Sequence, residues 1–378
     1  MQEVTDKTVE FLLRHDPARL SPDLASLTGN SFELSHWRDA FDTFQQTERL
    51  QLWKTKTALD SIDNAAYMAA RDALFPLAVS GCQGASAFGN RAGHKLYETM
   101  EASGVWEHLR QERQSQKKGK RIGFVDVCGG PGAFSQALFA MSRRHKLKLR
   151  GFGMTLRGVE GLDWYSSLSS SEFLPMYGID GTGDIFKLAN IEALCSLTLT
   201  EDIKLVVADG GFNVSFDIAN YQETISGRIL FGQWLAALKL LRNGGCFVLK
   251  LFDTFSPLLR SMLFLSTYLY KRVHVVKPRH SRVVNSERYL VCIDFTGLSP
   301  QWMEYFEKCY QDGFIDNDSI PTILPLTWVM EDETFKNDLA EMNATIASNQ
   351  ITALQMVMAK LQTSLPDENE KPTVNVLD

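Results

Sequence analysis

The sequence predicts an α/β fold in which helices cover both faces of a mainly parallel β-sheet. Between Ile122 and Phe295, short apolar runs alternate with helical patterns, and such alternation is typical of parallel sheets. The first run, IGFVDV (Ile122–Val127), is almost wholly apolar, as expected for a strand that is buried on both faces. With 378 residues, of which 44% are hydrophobic, the chain is long enough to bury such a core.

The elements follow in order along the chain. The first 120 residues have mostly helical patterns, interrupted by the Gly/Ser-rich stretch Ser80–Asn90 and by a basic run that ends at Arg121. The last two strands of the core are joined by a short loop, so we expect them to pair antiparallel. After Ile122–Val127, the sequence predicts strands at Leu149–Met154, Ile203–Asp209, Gly245–Phe252, Arg272–Pro278 and Arg288–Phe295, and helices to about Ser142, over Gln222–Leu241 and near Pro257–Tyr270.

These patterns divide the chain into three parts. We expect a helical N-terminal extension over residues 1–120, the α/β core over 121–298 and a C-terminal extension over 299–378. The C-terminal extension contains a helix around Thr334–Leu361 and ends in an acidic tail that we expect to be disordered. No apolar run approaches the ~20 residues that a membrane span needs, and the N-terminus lacks a signal peptide. We therefore expect a soluble intracellular protein without a membrane partner.

Cysteine spacing and charge restrict the function further. The six cysteines are scattered singly, so the sequence predicts neither a disulfide framework nor a metal site. The net charge of −6 is unevenly distributed. There are 12 basic residues and two acids from Arg110 to Arg157, and six basic residues and one acid from Lys271 to Arg288, whereas residues 311–378 hold 12 acids and three lysines. The two basic segments are either solvated faces or a groove for a polyanion, and charge alone does not separate these alternatives.

A glycine turn, DVCGGPGAF (Asp126–Phe134), lies where the first strand of the sheet gives way to a helix. Glycines here let the backbone approach a ligand at the carboxyl edge of the sheet. A dinucleotide site expects an acid about 20 residues further on, but that region reads GFGMTLRG. The chain also has no GxxxxGK[ST] motif. NAD and ATP are therefore poor candidates, and the turn indicates a nucleoside ligand with no phosphate requirement.

Six motifs in order resemble those of the S-adenosylmethionine-dependent ribose 2′-O-methyltransferases of the FtsJ-like (RrmJ-type) superfamily, and most closely their cap-specific mRNA branch. The resemblance covers about Lys56–Phe295 and implies a Rossmann-like methyltransferase fold with a seven-stranded, mainly parallel sheet and an antiparallel end strand. Gly130 and Ala133 replace the usual Ala and Gly, and His94 replaces an apolar residue. The motifs are DVCGGPGAF, GFGMTLRG, IDGTGDI, VVADGGF, FVLKLFD and NSERYLVC.

The resemblance implies a catalytic tetrad formed by Lys95, Asp209, Lys250 and Glu287. A ribose hydroxyl is a poor nucleophile until its proton is removed, and a lysine can act as the base if burial or a second cation lowers its pKa. Lys250 is our candidate base and Lys95 the neighbouring cation, with the two acids orienting the amines. Each residue alone could be a surface charge, a turn cap or part of a salt bridge, but together at motif positions they favour the catalytic interpretation.

The implied cofactor is S-adenosylmethionine. By the resemblance, the glycine turn holds the methionine and ribose portion, Asn90 adds a contact from the N-terminal extension, and Asp184 with Ile185 holds the adenine. A carboxylate such as that of Asp184 can accept a hydrogen bond from the exocyclic amine, although an aspartate in TGD can equally serve only the turn. The residues expected at the glycine turn are Asp126, Cys128, Gly129, Gly130, Pro131, Gly132, Ala133 and Phe134.

The stretch Lys56–Pro76 resembles the cap-binding segment of the same branch, although its pattern also suits an ordinary amphipathic helix. The resemblance places Lys56 and Arg71 at the cap and its triphosphate. Leu59 stands where the family has an aromatic residue, so the sequence does not identify the side chain that stacks on the cap guanine. Further candidates are Asn220 for a cap contact and Arg279, Arg282 and Arg288 for phosphate contacts.

The implied function is methylation of the ribose 2′-hydroxyl of the first or second transcribed nucleotide of capped mRNA, in the nucleus or, if the protein is viral, in the cytoplasm. The implied partner is the capped 5′ end of mRNA, with other capping or transcription proteins as further candidates. Two alternatives stay open on the sequence: the same chemistry on ribosomal or transfer RNA, and a non-catalytic cap- or RNA-binding subunit. The intact tetrad disfavours the second alternative.

Overall fold

The computed structural model describes residues 4–19, 21–24, 27, 32–77, 90–114, 121–212, 214–314, 316 and 318–363. Residues 80–89 of the Gly/Ser-rich stretch, 115–120 of the basic run and the acidic tail from 364 lie outside the described residues. The strands are β1 (Val9–Leu13), β2 (Glu33–His36), β3 (Ile122–Val127), β4 (Leu149–Met154), β5 (Phe173–Met176), β6 (Ile203–Ala208), β7 (Cys246–Leu251), β8 (Tyr270–Lys277), β9 (Arg288–Phe295) and β10 (Ser319–Thr322).

The helices surround these strands. They are α1 (Gln46–Thr57), α2 (Asn64–Leu74), α3 (Arg91–Ala102), α4 (Val105–Gln114), α5 (Ala133–Arg144), α6 (Leu188–Leu197), α7 (Gln222–Ile225), α8 (Gly227–Leu240), α9 (Pro257–Leu269), α10 (Pro300–Asp312), α11 (Leu326–Met330) and α12 (Glu333–Thr363). In the described part of the chain, no helix is both long enough and apolar enough to cross a membrane.

The central sheet has eight strands in the order β1-β8-β9-β7-β6-β3-β4-β5. Strands β3 to β7 pair in parallel, whereas β9 is antiparallel to both β7 and β8. This arrangement confirms the predicted fold class and the antiparallel pairing of the last two core strands. The carboxyl ends of β3, β6, β7 and β8 therefore meet the amino end of β9 at one edge of the sheet.

Two particulars differ from the prediction of seven strands with an antiparallel end strand. Strand β9 is not at the end of the sheet but is inserted between β7 and β8. The eighth strand, β1, comes from a region that we expected to be helical, and it pairs antiparallel with β8 at the edge. Pairing with a strand more than 250 residues away overrides the local preference of the short segment VEFLL.

Two apolar layers cover the sheet, one on each face. Helices α3, α4 and α5 contribute Leu96, Leu109 and Leu138 to one layer. Helices α6, α8 and α9 supply the other, which contains the fully buried Trp234. Several of the elements in the described chain were not predicted from the sequence, among them β2, β5, β10, α6, α10 and α11. The expected helix over Gln222–Leu241 is divided at Ser226 into α7 and α8.

The N- and C-terminal segments meet beside the carboxyl edge of the sheet. The long helix α12 packs against α1, α2 and β1. A buried polar network joins them to the core: Asp253, which follows β7, accepts hydrogen bonds from Lys56 of α1 at 2.9 Å and from Arg288 of β9 at 3.0 Å. Asn343 of α12 accepts from Arg288 at 3.1 Å. These contacts make α1 and α12 part of the surroundings of the site.

Candidate active site

The four residues of the expected tetrad lie together at the carboxyl edge of the sheet. Asp209 directly follows β6, and Glu287 directly precedes β9. Lys250 is the residue before the last in β7 and pairs with Tyr289 of β9. Lys95 approaches from α3, which begins at the N-cap residue Asn90. The topology of the sheet thus brings together residues that are up to 192 positions apart in the sequence.

The tetrad forms two ion pairs. Lys95 Nζ lies 2.7 Å from Glu287 Oε1 and 2.8 Å from Oε2, so the carboxylate holds this ammonium through both oxygens. Lys250 Nζ lies 3.2 Å from Asp209 Oδ1 and also donates to the main-chain oxygen of Asp209. All four side chains are largely buried, with exposed fractions between 13% and 23%. Charges that are largely removed from water interact more strongly than charges on an open surface, because the effective dielectric constant is lower there.

Tyr289 connects the two ion pairs and was missed by the sequence analysis. Its hydroxyl donates to Glu287 Oε1 at 2.7 Å and lies 3.4 Å from Asp209 Oδ1. Burial raises the pKa of Tyr289 well above its usual value, and the two nearby carboxylates add to this effect, so the phenol stays protonated and remains a donor. The motif NSERY did contain this tyrosine, but within a strand it is read as a core aromatic.

The carboxylate of Glu287 is ionised although it is buried. Burial alone would raise its pKa, but the ammonium groups of Lys95 and Lys250 outweigh burial, and the pKa is lowered. Two cations and two anions in contact leave the tetrad formally neutral, which reduces the cost of placing it away from water. The arrangement fixes two amines beside Glu287 and Asp209, and an amine held in this way can accept the proton of a bound hydroxyl when it is in its neutral form.

The glycine turn carries a buried carboxyl group with an unused acceptor. Asp126 is fully buried, and its Oδ2 accepts hydrogen bonds from the main-chain N and Oγ of Ser135 at 3.1 and 2.7 Å. Its Oδ1 has no partner in the described chain. Burial raises the pKa of Asp126 to about 7, although Ser135 opposes the shift. An unpaired buried oxygen is costly, and it fits a ligand with a cationic donor such as the amino group of a methionine moiety.

The turn requires glycine at two positions. A Cβ atom at Gly129 would lie 2.2 Å from Asp126 Cγ, and Gly132 has φ +107°, a conformation that side chains disfavour. The Gly130–Pro131 peptide is cis, and Cys128 has φ +55°. Ala133 and Phe134 begin α5 and are buried. A residue other than glycine in the left-handed region, as Cys128 is, is typical of ligand sites.

The remaining residues expected at the cofactor flank the turn. Asn90 donates from Nδ2 to the Tyr165 hydroxyl at 3.2 Å, and the main-chain N of Tyr165 donates to Pro131 O at 2.9 Å, so Asn90 reaches the turn through Tyr165. Asp184 Oδ1 accepts from the main-chain N of Phe186, and Ile185 is 4% exposed.

The charges around Cys128 show that these groups share one environment. Burial raises the pKa of the Cys128 thiol to about 12; the carboxylates of Asp126 and Asp184 act in the same direction, and Lys250 opposes them. Cys128 is therefore within electrostatic range of two cofactor candidates and of Lys250 of the tetrad. The unpaired oxygen of Asp126 is the feature of this region that fits S-adenosylmethionine.

A cavity of about 360 Å³ opens beside the tetrad. Its lining includes Glu287 and Ser286 at one side and Lys56 of α1 and Tyr67 of α2 at another. Lys56 Nζ donates to Asp253 Oδ2 at 2.9 Å and to Ser286 Oγ at 2.7 Å, and its side chain keeps 20% exposure. A single cavity thus joins a residue expected at the cap to a residue of the tetrad. Leu59 also lines the cavity, together with Phe252 and, from α12, Gln350 and Leu354.

The other residues expected to contact the cap flank this cavity. Asn220 donates to Thr57 Oγ1 at 3.0 Å, directly beside Lys56, and its own Oδ1 is buried without a partner in the described chain. Arg71 and Arg282 share one carboxylate, Asp72, at 2.8 Å each. Two guanidinium groups against one carboxylate leave an excess of positive charge, which suits a phosphate group.

Two of the arginines considered for phosphate contacts have other partners. Arg288 is 1% exposed and is held by Asp253, Asn343 and the main-chain oxygen of Ser286. It is a structural residue and is not available to RNA. Arg279 donates to Asp6 at 3.3 Å.

Comparisons with known proteins agree with this geometry. A protein-family model described as FtsJ-like methyltransferase matches residues 88–295. The cap-specific mRNA (nucleoside-2′-O-)-methyltransferase 1 of Trypanosoma cruzi (strain CL Brener) is 73% identical over 364 residues, which cover 96% of this chain and 100% of that protein.

Two further relatives carry the same name. The protein of Trypanosoma brucei brucei (strain 927/4 GUTat10.1) is 63% identical over 98% of this chain and 100% of its own length. The Homo sapiens protein is 36% identical over 63% of this chain and 30% of its own length. The chain belongs to the FtsJ-like methyltransferase family, in the group of the cap-specific mRNA (nucleoside-2′-O-)-methyltransferase 1 proteins.

Proposed function

We propose that the protein transfers a methyl group from S-adenosylmethionine to the ribose 2′-hydroxyl of the first or second transcribed nucleotide of capped mRNA. The observation that carries this proposal is the cavity of about 360 Å³, which is lined both by Glu287 of the tetrad and by Lys56 at the cap-binding segment. The relatives from trypanosomes, which this chain matches along their full length, are named for this activity.

The proposed roles follow from the contacts. Bound S-adenosylmethionine supplies an electrophilic methyl group on a sulfonium. In its neutral form, Lys250 accepts the proton of the 2′-hydroxyl and becomes an ammonium group, which Asp209 Oδ1 pairs with at 3.2 Å. Lys95, held by both oxygens of Glu287, supplies a second positive charge near the developing alkoxide. Tyr289 keeps the two carboxylates at a fixed separation.

The cofactor-binding part of the proposal rests on three features of the chain. Asp126 Oδ1 would accept from the amino group of the methionine moiety, the glycine turn would lie against its ribose, and Asp184 would accept from the exocyclic amine of adenine. The unpaired, fully buried oxygen of Asp126 is the strongest of these observations.

The test is methylation of a panel of short RNAs with labelled cofactor. The panel holds one sequence with an N7-methylated cap, with an unmethylated cap and with a 5′-triphosphate, together with transfer and ribosomal RNA fragments. We expect transfer to the capped RNAs and none by Lys250→Ala. Nuclease digestion of the product identifies which nucleotide carries the methyl group. Labelling confined to transfer or ribosomal RNA would contradict the proposal.

The cellular setting stays a prediction. We propose that the protein acts in the nucleus, with other capping or transcription proteins as candidate partners. Fluorescence microscopy of the tagged chain tests the location, and co-purification with capping proteins from nuclear extract tests the partners. A signal confined to the cytoplasm would contradict the first of these proposals.

A further inference from the structure

A third lysine lies behind the tetrad and has no role in the proposed chemistry. Lys277 ends β8, at the same edge of the sheet as Lys250, and is 6% exposed. Its Nζ donates to the main-chain oxygen of Glu287 at 2.8 Å and to that of Asn285. Both hydrogen bonds of Lys277 in the described part of the chain thus go to carbonyl oxygens of the loop that carries Glu287.

These two hydrogen bonds close the base of that loop. Residues 278–287 connect β8 to β9, and Lys277 reaches from the first strand to the end of the loop. Ser281 supports the same point, because its Oγ donates to the Glu287 carbonyl at 3.0 Å. The main chain of Glu287 is therefore held by two donors, one charged and one neutral, directly behind the carboxylate that binds Lys95.

Stability alone does not explain a lysine at this place. Moving an ammonium group out of water costs free energy unless opposite charges or hydrogen bonds compensate for the lost hydration. The two hydrogen-bond partners of Lys277 are neutral carbonyl groups. Burial lowers the pKa of Lys277 to about 7; Arg288 and Lys95 act in the same direction, and the carboxylates of Glu287 and Asp253 oppose the shift. A pKa shifted this far from its usual value is typical of groups in functional sites. The charged groups around it are Glu287, Arg288, Asp253 and Lys95, with Asp6, Lys7 and Arg279 at a small cavity beside β1.

We propose that Lys277 is a positioning residue for methyl transfer: its ammonium group holds the main chain of Glu287 and thereby fixes the carboxylate that orients Lys95. This inference rests on the proposed function for its kinetic consequence. Displacement of a catalytic group by about 1 Å can lower the rate about 100-fold. The loss of Lys277 should therefore act on the chemical step and leave substrate binding largely intact.

The central variant is Lys277→Met, which keeps the length of the side chain and removes the donor. We expect kcat on capped RNA to fall between about tenfold and 100-fold. The KM for RNA and the Kd for S-adenosylhomocysteine should stay within about twofold, because Lys277 does not line the cavity of about 360 Å³ that Glu287 and Lys56 share. Lys277→Arg retains a cationic donor and should recover part of the rate, and Ser281→Ala should lose less than Lys277→Met.

Lys204 provides a matched control. It is another buried lysine that donates to a main-chain oxygen, that of Asn243, and it also pairs with Glu112 at 2.7 Å. It lies near the start of β6, at the opposite end of that strand from Asp209. Lys204→Met should lower the melting temperature without lowering kcat. An equal loss of kcat in both variants would show that Lys277 acts through general stability and would overturn the proposal.

A second measurement does not depend on activity. Hydrogen–deuterium exchange of the segment 281–289 should become faster in Lys277→Met and stay unchanged in Lys204→Met. Unchanged exchange together with wild-type kcat in Lys277→Met would overturn the inference. A wild-type protein that methylates no capped RNA would instead contradict the proposed function, and the exchange measurement would still decide whether Lys277 holds the loop.

Discussion

At the scale of single residues, the site assigns two tasks to different groups: Asp126 at the glycine turn is proposed to hold the cofactor, and Lys250 of the tetrad to remove a proton. Lys250 contacts Asp209 and lies 5.9 Å from the centre of the Phe252 ring, whereas the unpaired oxygen that fits the cofactor belongs to Asp126. Lys250→Ala should therefore abolish methyl transfer while the Kd for S-adenosylmethionine changes little. Single-turnover assays and calorimetric titration measure the two effects separately. Substantial turnover by this variant would remove Lys250 from the role of base.

Asp126 should make both stability and cofactor binding depend on pH. Its pKa rises from 3.8 to about 7 on folding because the carboxyl group is buried. Between these values the folded protein holds a proton that the unfolded chain releases, so this group lowers stability as the pH rises from about 4 to about 7. Asp126→Asn should remove that dependence, raise the melting temperature at pH 8 and weaken binding of S-adenosylmethionine about tenfold.

Thermal melting at pH 5 and pH 8 without cofactor, together with titration at pH 8, tests this prediction. Glu10→Gln is a useful control, since burial also raises the pKa of Glu10 but it lies at the far edge strand β1, away from the glycine turn. The Glu10→Gln variant should bind S-adenosylmethionine with wild-type affinity. Wild-type affinity in Asp126→Asn would show that Asp126 does not contact the methionine moiety.

The four residues that the structure brings together in the tetrad could be named from the sequence because short motifs that resemble those of a known family contain them. Three of these residues lie at strand ends, and Lys95 lies in α3. Tyr289 and Lys277 could not, for a physical reason. Within a strand, a tyrosine and a lysine have the same local pattern whether they face the core, the solvent or a catalytic group. Their roles depend on contacts to Glu287 that exist only after β8, β9 and α3 have been brought together.

At the scale of elements, the predictable strands are those buried in the centre of the sheet. Strands β3, β6 and β7 are short apolar runs whose burial on both faces is visible in the sequence. Strand β1 is different, because Val9, Phe11 and Leu13 alternate with less buried positions and the strand depends on pairing with β8. Within the described residues, strands β2 and β10 pair with each other alone, across nearly 300 positions of the sequence. Such long-range pairing leaves little local signal.

The buried network around Asp253 should be the strongest link between the terminal extensions and the core. Burial alone would raise the pKa of Asp253, but Lys56 and Arg288 outweigh it and lower the pKa, so the carboxylate is ionised. Arg288→Met leaves this buried charge with a single cation and removes the donor to Asn343 of α12. We expect a loss of about 3–5 kcal/mol in the free energy of unfolding, measured by urea denaturation.

An exposed ion pair between β8 and β9 supplies the control for Arg288. Lys271 of β8 pairs with Asp294 of β9 at 2.9 Å, and its side chain is 67% exposed. Lys271→Met should cost about 0–1 kcal/mol. Similar losses in the two variants would mean that the network around Asp253 adds nothing beyond an ordinary surface pair.

At the scale of the whole molecule, the net charge of −6 hides the surface that matters for RNA. The sequence could predict two basic segments, but it could not separate structural arginines from available ones. Arg288 forms a buried ion pair with Asp253, whereas Arg71 and Arg282 share the single carboxylate of Asp72. The excess positive charge therefore lies beside the cavity that reaches Glu287, and we expect it to bind the triphosphate of the cap.

Arg71→Ala tests this assignment. A charge-assisted hydrogen bond to phosphate is worth about 1.5–3 kcal/mol, so kcat/KM on capped RNA should fall roughly tenfold or more while cofactor affinity stays unchanged. Binding of capped RNA should weaken with salt, and the variant should reduce the slope of log K against log salt by about one. Arg14→Ala is the control, because Arg14 is 60% exposed and pairs with Asp338 away from the cavity. If Arg71→Ala lowers activity equally on capped and uncapped RNA, Arg71 contacts the RNA backbone in general, and the cap must be recognised elsewhere in the cavity.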